Sequence, residues 1–213
     1  MAKLTFYNSA KGVTGSAYLL ETDSSKILLD CGLIQGRHEE EKLNEEPFPF
    51  EVKSLDAVVL SHAHLDHSGR IPKLVADGYK GSVCMTYPTC ELLAIMLKDA
   101  AFLEKRDTEW ENKRRKRAGK PEIEPLYTLE DVDVALRLCE GMTYDKTYEI
   151  AAGIKLCFRE AGHILGSAIV EIFITENSST RKLVFSGDLG NSYAALLRDP
   201  ATIEEADVLL MES

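Results

Sequence analysis

Residues 62–67 read His-Ala-His-Leu-Asp-His and come straight after Ser61 and the apolar run Ala-Val-Val-Leu of residues 57–60. Three imidazoles and a carboxylate on one turn at the end of a strand are poorly suited to packing, because each buried polar group would need a partner. Neutral imidazole and carboxylate are, in contrast, ordinary zinc ligands. The stretch therefore predicts a divalent metal site, and the alternative is a solvated or helix-capping cluster.

The spacing within this stretch predicts two neighbouring metal positions. His62 and His64 are two residues apart, so in an extended segment their side chains point the same way and can converge on one ion. Asp66 and His67 lie past the turn, where they can face a second ion nearby.

Two later residues extend the predicted site. His163 lies in the glycine-flanked stretch Ala-Gly-His-Ile-Leu-Gly-Ser-Ala of residues 161–168, and glycines allow the backbone to approach a ligand closely. Asp188 follows an apolar strand in Phe-Ser-Gly-Asp-Leu-Gly, and its two oxygens could bridge two ions. Taken alone, His163 would be a structural loop histidine and Asp188 a turn residue. Beside residues 62–67, the metal-ligand interpretation is favoured.

Composition limits the class of protein. The chain has 213 residues, 45% of them hydrophobic, which is enough for one sizeable domain. It shows no apolar run long enough for a membrane span and no signal-peptide core, and its five cysteines have no Cys-x-x-Cys spacing. We therefore expect a cytoplasmic protein with reduced thiols and no membrane partner. With a formal charge of −10, any nucleic acid must be held by a local patch or by the metals.

The pattern of apolar residues predicts a mixed α/β layered domain. Strands are expected over residues 3–7, 17–21, 27–30, 57–60, 154–159, 168–175, 182–185 and 208–211. Helices are expected over residues 71–76, from about 89 to 117, and from about 129 to 139. The last helix carries a capping box, Thr128 with Asp131, and an expected buried face of Leu129, Val132, Leu136 and Cys139. Residues 31–50 are expected to form a long loop.

Five ordered motifs give a family resemblance. They are Gly-Val-Thr-Gly-Ser, Leu-Leu-Asp-Cys-Gly, Ser-His-Ala-His-Leu-Asp-His-Ser-Gly, Ala-Gly-His-Ile-Leu-Gly-Ser-Ala and Phe-Ser-Gly-Asp-Leu-Gly, beginning at Gly12, Leu28, Ser61, Ala161 and Phe185. The chain resembles the metallo-β-lactamase superfamily and, more closely, its β-CASP branch of RNA- and DNA-processing nucleases. The resemblance covers the chain from about Lys3 to Ser213. It implies an α/β fold of the αββα sandwich type.

The resemblance also implies roles for the candidate residues. A first zinc ion would be held by His62, His64, His163 and Asp188, and a second by Asp66, His67 and Asp188. Manganese is an alternative metal. Asp66 would also orient the nucleophile, and Asp30 would lie behind the ligands and accept a hydrogen bond from a ligand histidine. Glu212 matches an acidic residue of the branch's first insertion-domain motif, which implies a catalytic role together with Asp66 and Asp188.

One departure from the branch concerns its later motifs. In the β-CASP branch the strand near residue 210 leads into an inserted domain and then into the rest of the catalytic domain. Two later motif histidines have no position here: one completes the second metal site, and the other pairs with the acidic residue as general acid. The remaining histidine, His38, lies in a polar stretch and is expected at the solvated surface.

We therefore expect residues 1–213 to form a metallo-β-lactamase-like domain that is truncated where the β-CASP insertion would begin. This N-terminal portion of the sandwich would lack the inserted domain and the part of the catalytic domain that follows it. The strand edge near residues 208–211 would then be exposed, which promotes self-association.

The function implied by the resemblance is zinc-dependent hydrolysis of phosphodiesters in RNA, within the chain or from an end, by a hydroxide shared between two metals. The isolated chain is expected to be weakly active or inactive. One alternative is a metal-binding fragment without catalysis. Another is a hydrolase of small esters or lactams, which the Gly-His-Ile-Leu-Gly-Ser-Ala loop and Glu212 disfavour. The basic run of residues 113–117 is interpreted as a solvated helix end rather than an RNA-binding patch.

Overall fold

The computed structural model describes residues 2–8 and 14–212, without the side chains of Asn8 and His38. Gly12 and Val13 of the first motif, and the predicted surface position of the His38 side chain, therefore lie outside the described part. The other four motifs are described in full.

The first sheet contains six described strands that follow one another in chain order. They are β1 (Lys3–Asn8), β2 (Ser16–Glu21), β3 (Lys26–Leu29), β4 (Ala57–Val59), β5 (Ser82–Thr86) and β6 (Cys139–Met142). The strands from β1 to β3 are antiparallel, and those from β3 to β6 are parallel. All three residues of β4 are buried, because this central strand is covered on both faces.

The second sheet contains five described strands in the order β11-β10-β9-β8-β7. They are β7 (Thr147–Ala151), β8 (Ile154–Glu160), β9 (Ala168–Glu176), β10 (Ser179–Phe185) and β11 (Val208–Leu210). Neighbouring strands are antiparallel except for β11, which pairs in parallel with β10 at the edge of the sheet.

Five helices accompany the sheets in the described ranges. They are α1 (His38–Glu41), α2 (Leu65–Ser68), α3 (Ile71–Ala76), α4 (Tyr87–Arg117) and α5 (Leu129–Arg137). Helix α4 begins where the Thr86 side chain accepts a hydrogen bond from the Thr89 amide, with a proline in its first turn. It ends before Gly119, whose φ of 67° lies in the left-handed region. None of the helices described has the length and apolar character needed to cross a membrane.

Two hydrophobic cores hold three layers together. One lies between the sheets and includes Tyr18, Leu29, Val59, Phe158 and Phe185. The other lies between the first sheet and the helices and includes Leu28, Val58, Leu74, Leu97 and Val132. The described residues thus form a helix–sheet–sheet arrangement, which provides three layers of the expected αββα sandwich.

Several predicted boundaries were wrong. The helix expected to reach Cys139 ends at Arg137, because Cys139 begins β6 and pairs with β5. Of the predicted buried face, Val132 is buried and Leu129 is 53% exposed, and Ala135 is buried although it was not predicted. The capping box of Thr128 and Asp131 is confirmed.

The segment predicted as a continuous loop, residues 31–50, contains the short helix α1 followed by a 3-10 turn over Lys42–Asn44. Strands β5, β6 and β7 were not predicted. All eight strands that were predicted are present, and their ends differ from the predicted ends by at most three residues.

Candidate metal centre

The candidate residues meet where several strands of the two sheets end. Asp30 directly follows β3, His62 lies shortly after β4, and Asp188 lies shortly after β10. His163 comes from the loop between β8 and β9, and Glu212 lies just after β11. Loops at the carboxyl ends of parallel strands commonly form binding sites, and the β3–β4 and β10–β11 pairs provide two such ends here.

The first metal position is formed by three imidazoles and one carboxylate. Nδ1 of His64 lies 3.1 Å from Nε2 of His62 and 3.2 Å from Nε2 of His163. Oδ2 of Asp188 lies 3.4 Å from the same His163 nitrogen and 3.8 Å from that of His62. The four ligand atoms all lie within 4.8 Å of one another. Three nitrogens and one oxygen converging in this way fit a tetrahedral zinc ion.

The second metal position lies on the other oxygen of Asp188. Nε2 of His67 is 3.4 Å from Oδ1 of Asp188, and the Glu212 carboxylate joins them with all three ligand atoms within 4.8 Å of one another. Asp66 lies at the margin of this group, with its Oδ2 3.9 Å from Nε2 of His67. One imidazole nitrogen and several carboxylate oxygens form a donor set that fits a divalent metal ion.

Asp30 anchors His67 from behind. It is fully buried, and its Oδ2 accepts hydrogen bonds from Nδ1 of His67 and from Oγ of Ser61, each at 2.7 Å. Its Oδ1 accepts a third hydrogen bond from the Ser61 amide, also at 2.7 Å. A proton on Nδ1 of His67 leaves the lone pair of Nε2 facing the second position. The backbone φ of Asp30 is +54°, an uncommon conformation that this network holds in place.

Ser61 links the two positions, although the sequence pattern gave it no role. Its Oγ donates to Asp30 and lies 3.0 Å from Nδ1 of His62, which can donate to it. This arrangement leaves Nε2 of His62 free to face the first position. Ser61 is separated from Asp30 by 31 residues, so its contact depends on the parallel pairing of β3 with β4.

The pKa values of the candidate ligands differ between the two positions. Burial and the nearby charge of His67 lower the pKa of His62 to about 2, and burial also lowers the pKa of His64. A hydrogen bond from His67 lowers the pKa of Asp188 to about 2. Burial opposes a charge on His67, but its hydrogen bonds to Asp188 and Asp30 outweigh this and raise its pKa to about 10. Without a metal, the carboxylates thus favour a positive charge at the second position.

The loops that carry the ligands are held by close packing and by a serine. A Cβ at Gly32 would lie 1.6 Å from the Asp66 carbonyl oxygen, so only glycine allows the chain to pass this close to the α2 turn. In the later loop, Oγ of Ser167 accepts hydrogen bonds from the amides of His163 at 3.0 Å and Ile164 at 3.2 Å. These contacts fix the backbone that presents His163.

The Glu212 side chain has partners that the sequence did not indicate. Its Oε1 accepts hydrogen bonds from Oγ of Ser16 and from the hydroxyl of Tyr18, each at 2.8 Å. Both donors lie on β2, more than 190 residues earlier in the chain. No short-range pattern could have revealed these contacts.

The basic run of residues 113–117 is the last turn of α4, as predicted. Arg114 forms an ion pair with Glu111 at 2.9 Å, and Nε of Arg115 donates to the Pro121 carbonyl at 2.6 Å. Cationic side chains at this end of the helix interact favourably with the negative end of the helix dipole.

Comparison with known proteins identifies the superfamily and the fold. Residues 19–209 match the family described as the metallo-beta-lactamase superfamily domain. Among solved structures, a HARLDQ-motif mutant of a metallo-beta-lactamase from Cronobacter sakazakii aligns over 93% of this chain and 72% of its own, with a TM-score of 0.56 and 18% identity. The metallo-beta-lactamase fold protein YhfI from Bacillus subtilis aligns over 90% and 64%, with a TM-score of 0.52 and 16% identity. At these identities the likeness concerns the fold.

Curated relatives are closer in sequence. The chain is 41% identical to "Ribonuclease TTHA0252" of Thermus thermophilus, over 97% of this chain and 42% of that protein. It is 32% identical to "Transcription termination factor FttA" of Methanocaldococcus jannaschii, over 99% of this chain and 31% of the relative. An "RNase J-like protein" of the same archaeon is 31% identical, over 100% and 42%. The chain thus spans less than half the length of these relatives.

Proposed function

This chain belongs to the metallo-β-lactamase superfamily, and we propose that it carries the metal centre of a zinc-dependent phosphodiester hydrolase of the β-CASP type that acts on RNA. The proposal rests on two groups of His, Asp and Glu side chains that converge in the structure and could each hold a metal ion. We propose that the metal is zinc and that two ions act together.

The observation that carries the proposal is the position of Asp188 between two sets of ligands. Its Oδ2 faces His62 and His163, whereas its Oδ1 faces His67. A carboxylate in this orientation can bridge two ions. When bound there, a pair of divalent ions activates water as a nucleophile and offsets negative charge on the phosphate oxygens.

The residues around the pair have separable tasks. Asp30 holds His67 in the tautomer that exposes Nε2, and Ser61 does the same for His62. Asp66 is half-buried, with its Oδ2 3.9 Å from Nε2 of His67, and in this proposal it would orient an incoming water and accept its proton. Glu212 contributes a further carboxylate to the catalytic group.

RNA as the substrate is supported by the relatives, of which two are named as a ribonuclease and an RNase J-like protein. The chain's formal charge of −10 argues against holding a polyanion by overall attraction. We therefore propose that the scissile phosphate is recognised at the metal centre itself, where bound divalent ions would offset the negative charge of the phosphate oxygens.

The test is metal-dependent hydrolysis of two substrates, bis-p-nitrophenyl phosphate and labelled single-stranded RNA, with added zinc or manganese. The activated ester isolates the metal chemistry, because its leaving group needs no proton. We expect Asp188→Asn to lower its hydrolysis at least about 10²-fold, since electrostatic stabilisation of the developing charge is lost. Asp133→Asn removes an exposed carboxylate on α5 and is the matched control.

A chain that binds neither zinc nor manganese, or hydrolysis that survives in Asp188→Asn, would contradict the proposal. If the chain hydrolyses a small ester or lactam but neither phosphodiester, the alternative of a small-ester or lactam hydrolase is favoured.

A further inference from the structure

We infer that the distal half of α4 binds single-stranded RNA through a stripe of aromatic and cationic side chains that lies away from the metal centre. The stripe consists of five residues spaced three or four positions apart: Phe102, Arg106, Trp110, Lys113 and Arg117. Residues at this spacing share one face of a helix, so the stripe is about 22 Å long. The inference rests on the proposed function, because it takes RNA as the substrate.

The first support is the exposure of the two aromatic rings. Phe102 is 64% exposed and Trp110, the only tryptophan of the chain, is 65% exposed. The last buried residue of α4 is Ala101, so the distal half of the helix has no face in the core. Large exposed aromatic side chains on one face mark an interaction surface. Such rings stack on nucleic-acid bases without regard to sequence, because every base has a π-face.

The second support is the local charge. Residues 113–120 contain six basic side chains and no acidic one, although the whole chain has a formal charge of −10. In the described part of the chain, Arg114 is the only one of the six with an acidic partner, Glu111. Arg106 of the stripe pairs with Asp107 at 3.6 Å, but both side chains are exposed and such a pair contributes little. A local group of unpaired cations attracts a polyanion.

The third support is that the other side of the helix is already occupied. Asn112 and Ile123 exchange two hydrogen bonds of 2.8 Å, from the Asn112 side chain to the Ile123 carbonyl and from the Ile123 amide to Oδ1 of Asn112. Oε1 of Glu104 accepts a hydrogen bond from the Leu126 amide at 3.2 Å. The returning chain therefore holds this half of the helix in place and leaves the stripe uncovered.

Single-stranded RNA fits the stripe better than a membrane surface does. An interfacial helix places its apolar residues on one face and its cations on the other. Here Arg106 lies between the two rings, and Lys113 and Arg117 follow on the same face. Rings and cations side by side suit the bases and phosphates of a single strand. This inference replaces the interpretation of the basic run as a solvated helix end.

The start of α4 relates the stripe to the metal centre. The hydroxyls of Thr86 and Thr89 donate to the Gly166 carbonyl at 2.7 and 2.8 Å, in the loop that carries His163. With a rise of about 1.5 Å per residue, Phe102 lies about 24 Å further along the helix than Thr86. RNA binding on the stripe and hydrolysis at the metal centre can therefore be measured separately.

The experiment measures binding of a fluorescein-labelled oligouridine to the 213-residue chain by fluorescence anisotropy, with EDTA present so that no metal takes part. We expect Trp110→Ala to weaken binding at least about 5-fold, since one stacked base is lost. Trp110→Phe keeps a ring and should retain most of the affinity. The double variant Lys113→Gln with Arg117→Gln should weaken binding and reduce the slope of log affinity against log salt by about 1.4, because each phosphate contact of a single strand contributes about 0.7.

Matched controls remove the same chemical groups elsewhere. Tyr193→Ala removes a ring that is 94% exposed and lies outside α4. Lys80→Gln with Lys155→Gln removes two exposed cations from other parts of the surface. Both controls should bind oligouridine as the unmodified chain does. Circular dichroism and the melting temperature show whether each variant has folded, and hydrolysis of bis-p-nitrophenyl phosphate with added zinc should be unchanged in the α4 variants.

The inference is overturned if the unmodified chain does not bind oligouridine, or if the folded Trp110→Ala and double variants bind it with unchanged affinity. Equal affinity for a duplex RNA would also overturn it, because paired bases cannot stack on the rings. Binding to vesicles of phosphatidylcholine and phosphatidylserine, lost in the same variants and without oligouridine binding, would assign the stripe to a membrane surface instead. In each case metal-dependent hydrolysis of bis-p-nitrophenyl phosphate leaves the proposed function standing.

Discussion

The two candidate metal positions share Asp188 but differ in their donor atoms. The first combines three imidazole nitrogens with one carboxylate oxygen, whereas the second combines one imidazole nitrogen with the oxygens of Asp188 and Glu212. The ligands of the first come from interior loops that follow β4, β8 and β10. Glu212 instead follows β11, an edge strand of three residues.

This difference implies different affinities and different metal preferences. Nitrogen-rich sites favour zinc, while carboxylate oxygens suit manganese and magnesium as well. We therefore expect the first position to fill first and to retain zinc, and the second to bind more weakly and to accept manganese. The following predictions test this asymmetry, beginning with the largest expected effect.

Removal of an imidazole from the first position should have the largest effect. His64→Ala deletes a ligand that faces both His62 and His163. We expect the variant to lose its tightly held zinc and, with it, the stabilisation that zinc provides, which is about 2.7 kcal/mol at a free zinc concentration 100-fold above Kd. Zinc content after desalting and the melting temperature with and without zinc measure both effects. Full zinc content with an unchanged melting temperature would show that His64 is not a ligand.

A substitution behind the second position should affect that position alone. Asp30→Asn places an amide where the carboxylate accepts the proton of Nδ1 of His67. An amide nitrogen there favours the other tautomer, in which Nε2 carries the proton and cannot bind a metal. We expect about 10- to 100-fold weaker binding of the second ion and little change in the first. Equal weakening of both ions in a calorimetric titration of the metal-free chain with zinc chloride would remove the distinction between the positions.

The pH dependence of stability should report the charge of the metal-free second position. The pKa of His67 is raised from its ordinary value of 6.5 to about 10 in the folded chain. A raised pKa stabilises the folded state fully below pH 6.5, and this contribution is lost as the pH rises through about 10. The free energy of unfolding of the metal-free chain should therefore exceed that of His67→Gln most at pH 6, and the difference should shrink by pH 10. A difference that is constant with pH would contradict the assigned charge.

The smallest effect is expected at the edge strand that supports Glu212. Val208 and Leu209 are 52% and 59% exposed, and β11 pairs only with β10 among the described strands. An exposed apolar edge promotes association between chains, so Leu209→Lys should shift the chain towards monomer with little change in binding of the first ion. Light scattering across a concentration series measures this shift. A monodisperse monomer before substitution would refute the prediction of self-association.

The parts of the fold that the sequence predicted depend on local patterns. The apolar run before residue 62 predicted β4, and the capping residues of α5 were evident because Thr128 and Asp131 lie three residues apart. The end of α5 was misplaced, because the pairing of Cys139 with Val83 overrides the helical period of the segment. Helix α1 has only four residues, which is too short for its period to be recognised.

The candidate site shows the same limit. Residues 62–67 gather four candidate ligands within one turn, so their type and spacing predicted a metal site directly. Ser61, Ser16 and Tyr18 gave no such signal, because hydroxyl residues are common and these reach their partners only through strand pairing. The presence of Glu212 beside His67 and Asp188 also depended on the tertiary structure, because β11 pairs with β10 and brings the end of the chain to the group.

The central claim, two metal positions on opposite oxygens of Asp188, is tested most directly by anomalous diffraction at the zinc edge from crystals of the zinc-saturated chain. We predict two peaks about 3.5–4 Å apart. One should be bound by His62, His64, His163 and Oδ2 of Asp188, and the other by His67, Oδ1 of Asp188 and the carboxylate of Asp66 or Glu212. A single peak, or a second peak that contacts neither Asp188 nor His67, would contradict the claim.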